Sequence, residues 1–284
     1  MVYSDESCLQ QGHNKKEKSY PITVVLDVSA ITDRSPLKTQ KRVNNMKTVL
    51  SLLTACLLSS AANAALDTAA LERAMANPDR PAADKERDVN RKAPELLAFM
   101  GLESGMTALD LIAIGGWYTE VLSYAVGDSG KVYMHNSESP FVERNMPIIN
   151  DRLARLSNVE HWMSPVSDIP AGSVDFVMTA LNFHDVYNPD PAAAQGFLGQ
   201  IANVMKTGGI LAVVDHEGSA GADNETLHRI AFDDAVMALV ASGDFALLST
   251  SDMLNNPADD HTKGPFDESL ARNTDRFALK LVKM

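Results

Sequence analysis

The hydrophobic pattern of the chain is clearest between residues 107 and 126. Residues 107–112 form a short apolar run, of the length expected for a strand buried on both faces. Gly115 and Gly116 interrupt this run, and residues 117–126 then place apolar side chains at helical spacing. The pattern predicts a strand, a glycine turn and a helix. In such a unit the glycine backbone and the free N–H groups of the first helical turn can bind a ligand.

The same pattern of strand and helix continues along the rest of the chain. Strand and helix alternate five times, and two strands close the chain. The further predicted strands cover 131–135, 159–163, 176–181, 210–214, 245–250 and 276–282, and the predicted helices 65–76, 89–100, 140–156, 191–205 and 223–242. This alternation is typical of an α/β protein with a doubly wound, mainly parallel sheet, whose ligand lies beyond the carboxyl ends of the strands.

The first 64 residues have a different pattern. Residues 1–45 are polar and mixed, and we interpret them as an extension outside any folded domain, with Met46 as the biological start. A lysine, an apolar core and Ala62-Asn63-Ala64 follow Met46, which is the order of a secretory signal peptide cleaved after alanine. A lipoprotein box ending at Cys56 ranks second, because the apolar segment before it is very short. The expected mature protein is a single domain, 65–284, located in the periplasm or secreted.

Composition narrows the classes of partner. Both cysteines, Cys8 and Cys56, precede the predicted cleavage site, so the mature chain has neither disulfides nor thiolate chemistry. Residues 65–284 carry 17 Lys and Arg against 32 Asp and Glu, a net charge of −15. Because an acidic surface repels nucleic acid and anionic lipid, we expect a small-molecule substrate, no nucleic-acid partner and no stable membrane insertion. The sequence leaves the oligomeric state open.

Two polar segments follow predicted strands and contain the candidate catalytic residues. They are Asn182-Phe183-His184-Asp185 and Asp215-His216-Glu217. If the two strands are neighbours, these side chains face one crevice. His184 is the candidate general base, since the unperturbed pKa of histidine lies near neutrality, and Asp185 and His216 are expected beside it.

The same imidazole and carboxylate groups would also suit Zn²⁺ or Mn²⁺. However, no H-x-x-x-H or similar ligand spacing supports a metal site, so we predict none. Two other histidines, His228 in the predicted helix 223–242 and His261 in a late loop, are expected to lie on the surface.

Four segments follow one another in an order that is informative as a set. They are the glycine turn 110–116, Asn136 after the second strand, 182–185 after the fourth, and Met205-Lys206-Thr207-Gly208-Gly209-Ile210 before the fifth. The last is similar to the L-K-P-G-G that precedes the fifth strand of class I S-adenosylmethionine-dependent methyltransferases. The chain resembles that superfamily over roughly residues 89–284.

The resemblance implies a seven-stranded Rossmann-like sheet, S-adenosylmethionine (SAM) as cofactor and methyl transfer to a small molecule. Such transfer is an in-line displacement from a sulfonium, so catalysis is mostly alignment plus removal of one proton. The resemblance also implies a set of cofactor-binding residues: Asp110, Gly115, Gly116, Asn136 and Asn182. Tyr118, at the start of the helix after the glycines, is a further candidate as a wall of the cofactor pocket, with packing in the core as the alternative. The runs G-G-W-Y-T-E, N-F-H-D and V-V-D-H further resemble a subgroup of bacterial predicted methyltransferases, several of them exported.

Residues 110–116 depart from the superfamily pattern, which is acidic-x-Gly-x-Gly-x-Gly. Ile112 and Ile114 replace the first two glycines. A branched side chain fills space near the ligand and disfavours positive φ. Asn136 stands where the family has an acid that binds the ribose hydroxyls, with Glu138 as an alternative. Two other functions stay open: a methyltransferase-like binding module without catalysis, and a metal-assisted hydrolase.

Overall fold

The computed structural model describes residues 64–284. The predicted extension 1–45 and the signal peptide before Ala64 lie outside the described residues. The described part begins with β1 (Ala64–Ala65), which pairs antiparallel with β2 (Glu103–Ser104). Within residues 64–284, no helix has the length and apolar character needed to cross a membrane.

Seven strands of the described residues follow one another across the central sheet, in the order β5-β4-β3-β6-β7-β10-β9. All run parallel except β10, which is antiparallel to both of its neighbours. The two-residue β8 pairs with the end of β7. The predicted doubly wound, mainly parallel α/β sheet is confirmed. The bounds are β3 (Thr107–Leu111), β4 (Lys131–His135), β5 (Val159–Trp162), β6 (Val174–Ala180), β7 (Met205–Gly218), β8 (Ile230–Ala231), β9 (Phe245–Ser251) and β10 (Arg276–Lys283).

Helices cover both faces of this sheet. Because successive side chains of a strand point to opposite faces, Ala108 packs with α1, α3 and α4, whereas Leu109 packs with α7 and α8. Burial on both faces explains why the strands are continuous apolar runs in the sequence. The helices are α1 (Thr68–Met75), α2 (Ala82–Arg91), α3 (Ala93–Met100), α4 (Trp117–Val126), α5 (Pro140–Arg155), α6 (Phe183–Tyr187), α7 (Pro191–Val204) and α8 (Phe232–Val240).

The single helix predicted over 89–100 is wrong, because the chain forms α2 and α3 with Lys92 between them at φ 43°. Pro94 explains the break: proline has no N–H for the carbonyl of Asn90 and restricts the residue before it. That carbonyl instead accepts a hydrogen bond from Nη2 of Arg276 at 2.7 Å. Helix α2 also occupies much of the charged stretch before residue 89, where the sequence predicted no helix.

The long helix predicted over 223–242 is also wrong, because α8 occupies only its second half. Residues 224–228 form a turn that ends with His228 at φ 50°. The next residue, Arg229, is fully buried and its Nη2 bonds both carboxylate oxygens of Asp259, at 2.8 and 2.9 Å. These long-range bonds override the helical spacing of the sequence.

Candidate active site

The order of the parallel strands places a switch point between β3 and β6. From β3 the chain proceeds to β4 and β5 on one side, and from β6 to β7 on the other. Ligands of doubly wound sheets bind beyond the carboxyl ends of the strands at such a point. The chain leaves β3 through residues 112–116, here called the switch loop, and leaves β6 through Leu181 and Asn182. The predicted ligand site thus coincides with the switch point of the observed sheet.

The switch loop adopts left-handed backbone conformations that normally require glycine. Ile112 and Ile114 both have φ 51°, and Gly116 has φ 76°. The sequence led us to expect that isoleucine would disfavour this conformation. A left-handed residue that carries a Cβ costs about 1–2 kcal/mol, and a β-branched one is a marked outlier. The loop therefore holds left-handed backbone conformations at two positions that carry branched side chains.

Asn136 holds one side of this strained loop. Its Oδ1 accepts a hydrogen bond from the backbone N of Ile114 at 2.7 Å, and its Nδ2 donates to the carbonyl of Ile114 at 3.2 Å. Nδ2 also lies 3.2 Å from Nε2 of His161. Only 1% of Asn136 is exposed, so its amide is committed to the protein.

Asn182 holds the other side. Its Nδ2 donates to the carbonyls of Leu111 and Ile112 at 3.1 and 3.3 Å, and its Oδ1 accepts from Oγ1 of Thr179 at 2.5 Å. The two amides that the sequence assigned to the cofactor thus fasten the switch loop to β4 and to the end of β6. They position the loop instead of presenting open hydrogen-bonding groups.

The two glycines of the switch loop have different surroundings. A Cβ at Gly116 would lie 2.7 Å from Cε of Met134 and 3.2 Å from Cδ of Arg152. A Cβ at Gly115 would have its nearest neighbours at 3.8 Å, which is ordinary van der Waals contact. Gly116 is therefore needed for its φ and for packing inside the protein, whereas Gly115 has room for a side chain.

Asp110 and Tyr118, both predicted to bind the cofactor, are buried beneath the loop. Oδ2 of Asp110 accepts a hydrogen bond from Oγ1 of Thr119 at 2.6 Å. Burial raises the pKa of Asp110 to about 6, although Thr119 and Arg91 favour its charged form. Burial also raises the pKa of Tyr118. Asp110 thus bonds the first turn of α4, and Tyr118 is part of that turn.

The sequence did not single out Arg91, at the end of α2. Its guanidinium carbon lies 4.4 Å from the ring centroid of Trp117 and 4.9 Å from that of Tyr118. Among the described residues, no carboxylate lies within ion-pair distance of it, and burial lowers its pKa to about 10. An arginine within a run of Lys, Asp and Glu is inconspicuous in the sequence, and only the packing of α2 on α4 distinguishes it.

His184, in the first turn of α6, is 2% exposed and held by carboxylates. Its Nδ1 lies 2.7 Å from Oδ1 of Asp215, and its backbone N donates to Oδ2 of Asp215 at 2.9 Å. Its Nε2 lies 3.2 Å from Oδ1 of Asp185. Burial would lower the pKa of His184, but the two carboxylates outweigh burial and raise the pKa to about 9. The imidazole is therefore charged at neutral pH.

His216 lies on β7 beside His184, with ring centroids 5.7 Å apart. The strand is longer than predicted, so Asp215 and His216 lie within it, paired with β10. Nδ1 of His216 lies 2.5 Å from Oγ1 of Thr274. Its Nε2 makes no hydrogen bond to any residue of the described part. Burial and the charge of His184 hold the pKa of His216 well below its usual value, so this ring is neutral.

His228 is half-exposed, but it is not an isolated surface residue. Its Nδ1 lies 2.8 Å from Oδ1 of Asp185, and its ring centroid lies 5.8 Å from that of His184. His261 instead places Nε2 3.0 Å from Oδ2 of Asp275. The structure thus brings together all three predicted catalytic residues and adds His228 to them.

Comparison with known proteins supports the fold. No protein-family model and no curated protein sequence matches the chain. A SAM-dependent methyltransferase from Aquifex aeolicus is similar at TM-score 0.53 and 20% identity, covering 77% of this chain and 99% of that chain. A chain from the complex of the Haloferax volcanii Trm112 methyltransferase activator with a proposed methyltransferase is similar at TM-score 0.50 and 17% identity, with coverages of 75% and 97%. At these identities the likeness shows the fold alone. The chain has the Rossmann-like methyltransferase fold.

Proposed function

We propose that this protein is a SAM-dependent methyltransferase that acts on a small molecule. The switch loop carries this proposal, because Ile112 and Ile114 hold left-handed conformations at the switch point of the sheet. Backbone strain of this kind persists only where the surrounding structure imposes it, and it clusters at ligand sites. The fold shared with SAM-dependent methyltransferases supports SAM as the ligand.

The residues present fit SAM in part, and we assign two side chains to it. The guanidinium of Arg91 has no carboxylate partner in the described part of the chain and suits the carboxylate at the amino-acid end of SAM. Glu138 is exposed and lies two residues beyond Asn136. Since Asn136 is committed to Ile114, Glu138 is the acid left for the ribose hydroxyls. SAM, when bound, supplies a methyl group on a sulfonium.

Removal of the acceptor proton requires an open, unprotonated ring nitrogen beside the crevice, and the lowered pKa of His216 keeps its ring in that neutral form. Both ring nitrogens of His184 already face carboxylates, those of Asp215 and Asp185. In His216, Nδ1 faces Thr274 and Nε2 is open. We therefore assign proton removal to His216 and give His184 a positioning role, which reverses the ranking expected from the sequence.

Calorimetry with SAM and S-adenosylhomocysteine tests the donor site. Arg91→Met should weaken both at least about tenfold, because it removes a charge-assisted bond while keeping the apolar stem. Arg73→Met, on the exposed side of α1, should bind like the wild type. Ile114→Gly should tighten the binding of both ligands or leave it unchanged. A wild-type protein that gives no heat of binding at millimolar ligand would exclude SAM as the donor.

Turnover with an identified acceptor tests the proton-transfer role. His216→Ala should lower turnover by roughly 10²-fold to 10⁴-fold, the usual contribution of a general base. Its affinity for S-adenosylhomocysteine should not change, because the base contacts the acceptor. Full turnover in His216→Ala would contradict the assignment.

A binding module without catalysis is the second candidate. It is favoured by Asn136 and Asn182, whose amides bond the switch loop and leave fewer groups for a cofactor. The same calorimetry separates the two functions, because a binding module that has lost its cofactor site would give no heat of binding with SAM.

We also propose export, with cleavage after Ala64, on the strength of the signal-peptide pattern beginning at Met46. Mass spectrometry of the cellular protein should find Ala65 as the N-terminus. Recovery of residues 1–45 on that protein would contradict it.

A further inference from the structure

Three side chains with metal-binding atoms converge beyond the carboxyl ends of β6 and β7. His184, Asp185 and His228 each offer one ligand atom, a ring nitrogen or a carboxylate oxygen, and these three atoms lie within 4.8 Å of one another. Oδ1 of Asp185 is 3.2 Å from His184 and 2.8 Å from His228. Nitrogen and oxygen ligands at about 2.0–2.2 Å from an ion lie roughly 3–3.5 Å from one another, so little movement is needed. We propose that His184, Asp185 and His228 bind a divalent transition-metal ion.

His184, the buried member of this cluster, is oriented by a carboxylate outside the cluster. A histidine that binds a metal usually donates its other ring N–H to a carboxylate, which sets the tautomer and the direction of the ring. Asp215 supplies that carboxylate here, at 2.7 Å from Nδ1 of His184, and is itself fully buried. Its second oxygen accepts a hydrogen bond from the backbone N–H of His184 at 2.9 Å, so two bonds fix the orientation of His184 relative to Asp215. Nε2 of His184 is thereby directed at Asp185 and His228.

The exposure of the three ligands suits a catalytic metal site. The side chain of His184 is 3% exposed, whereas those of Asp185 and His228 are 54% and 46% exposed. An ion can therefore reach the site from solvent. Three protein ligands leave coordination positions open for water or substrate, as in catalytic zinc sites. Two imidazoles and one carboxylate favour Zn²⁺, Mn²⁺ or Co²⁺ over Mg²⁺ or Ca²⁺.

The metal site does not depend on methyl transfer, because its ligands are separate from the switch loop. One consequence rests on the proposed function. If the protein transfers a methyl group, an acceptor oxygen bound at an open coordination position of the ion would lose its proton more readily. His216 stands next to the site, with its ring centroid 5.7 Å from that of His184. Its Nε2 remains available when His184 is a ligand.

Binding of Zn²⁺ and Co²⁺ to the full chain tests the inference. Cys8 and Cys56 are first changed to Ser, so that no thiolate competes for the ion. Calorimetry and cobalt absorption should show one equivalent bound at this site. His228→Ala and Asp185→Asn should each weaken binding about 100-fold, since loss of an outer-shell partner alone typically costs 10-fold to 100-fold. Both residues are half-exposed, so circular dichroism should show an intact fold.

His261→Ala is the matched control, because His261 also faces a carboxylate, that of Asp275. It should bind both ions like the parent chain. Failure of the parent to bind either ion at millimolar concentration would overturn the proposal. Binding that survives His228→Ala and Asp185→Asn, or that His261→Ala weakens equally, would also overturn it. A parallel titration with S-adenosylhomocysteine keeps the two proposals distinguishable, since His228→Ala should leave that affinity unchanged.

Discussion

The side-chain amide of Asn136 bonds both backbone groups of Ile114, accepting from its N–H at 2.7 Å and donating to its carbonyl at 3.2 Å. A carboxylate at position 136 could accept from the N–H but could not donate to the carbonyl. The methyltransferase superfamily usually has an acid at this position. In this chain, asparagine matches a switch loop whose isoleucines must be held in left-handed conformations.

Asn136→Asp, which introduces an acid, should lower the free energy of unfolding by about 2–3 kcal/mol. It removes the bond to the Ile114 carbonyl and places a buried charge beside that oxygen. Urea unfolding near neutral pH measures the change. Asn145→Asp is the control, because Asn145 is only partly buried on α5 and its amide bonds the carbonyl of Phe141. An equal effect of both substitutions would refute the special role of Asn136.

Ile114→Gly should be more stable than Ile114→Ala by about 1 kcal/mol. At φ 51° the Cβ of alanine is strained, while glycine has no such cost. At Ile148, an exposed position within α5, the order should reverse, with glycine about 1 kcal/mol less stable than alanine. The two pairs are compared by chemical unfolding. The same order at both positions would show that Ile114 is not strained.

Gly116→Ala should destabilise the protein by about 1–2 kcal/mol, since alanine is strained at φ 76°. Gly115→Ala should change stability by less than about 0.5 kcal/mol, because a Cβ there meets only ordinary contacts. Thermal and urea unfolding of the two variants check this difference. The effect of Gly116→Ala arises from backbone strain and from packing against Met134, and not from a side chain projecting into the ligand.

Stability should depend on the charge of Asp110 between about pH 4 and pH 6. Its pKa is raised to about 6 in the folded protein, above the ordinary value of 3.8 for an aspartate, so the folded state binds this proton more tightly. The stability from protonated Asp110 is fully present below the unfolded pKa and is lost as pH rises through the folded pKa.

Asp110→Asn should therefore match the wild type near pH 4 and become more stable by up to about 3 kcal/mol above pH 6.5, at 1.36 kcal/mol per pKa unit. The difference between the two unfolding curves isolates Asp110 from other carboxylates whose pKa values are lowered. A difference that does not change with pH would contradict the raised pKa.

The sequence by itself determined the layout of the fold. Apolar runs ended by glycine or polar residues predicted Lys131–His135 and Trp117–Val126 with the observed bounds. Strands buried on both faces and helices with one apolar side have distinct local spacing, and alternation of the two permits few topologies. The sequence left open whether the strands that precede His184 and His216 are neighbours, and the observed sheet places β6 next to β7.

Only the tertiary structure decided what the site residues contact. His228 meets Asp185 across 43 residues of sequence, because the turn before α8 is held by buried Arg229 and does not continue as a helix. The bonds of Asn136 and Asn182 to the switch loop and the stacking of Arg91 on Trp117 also join segments that are separated in the sequence. Side-chain contacts of this kind depend on distances between segments far apart in the chain, which local hydrophobic spacing does not encode.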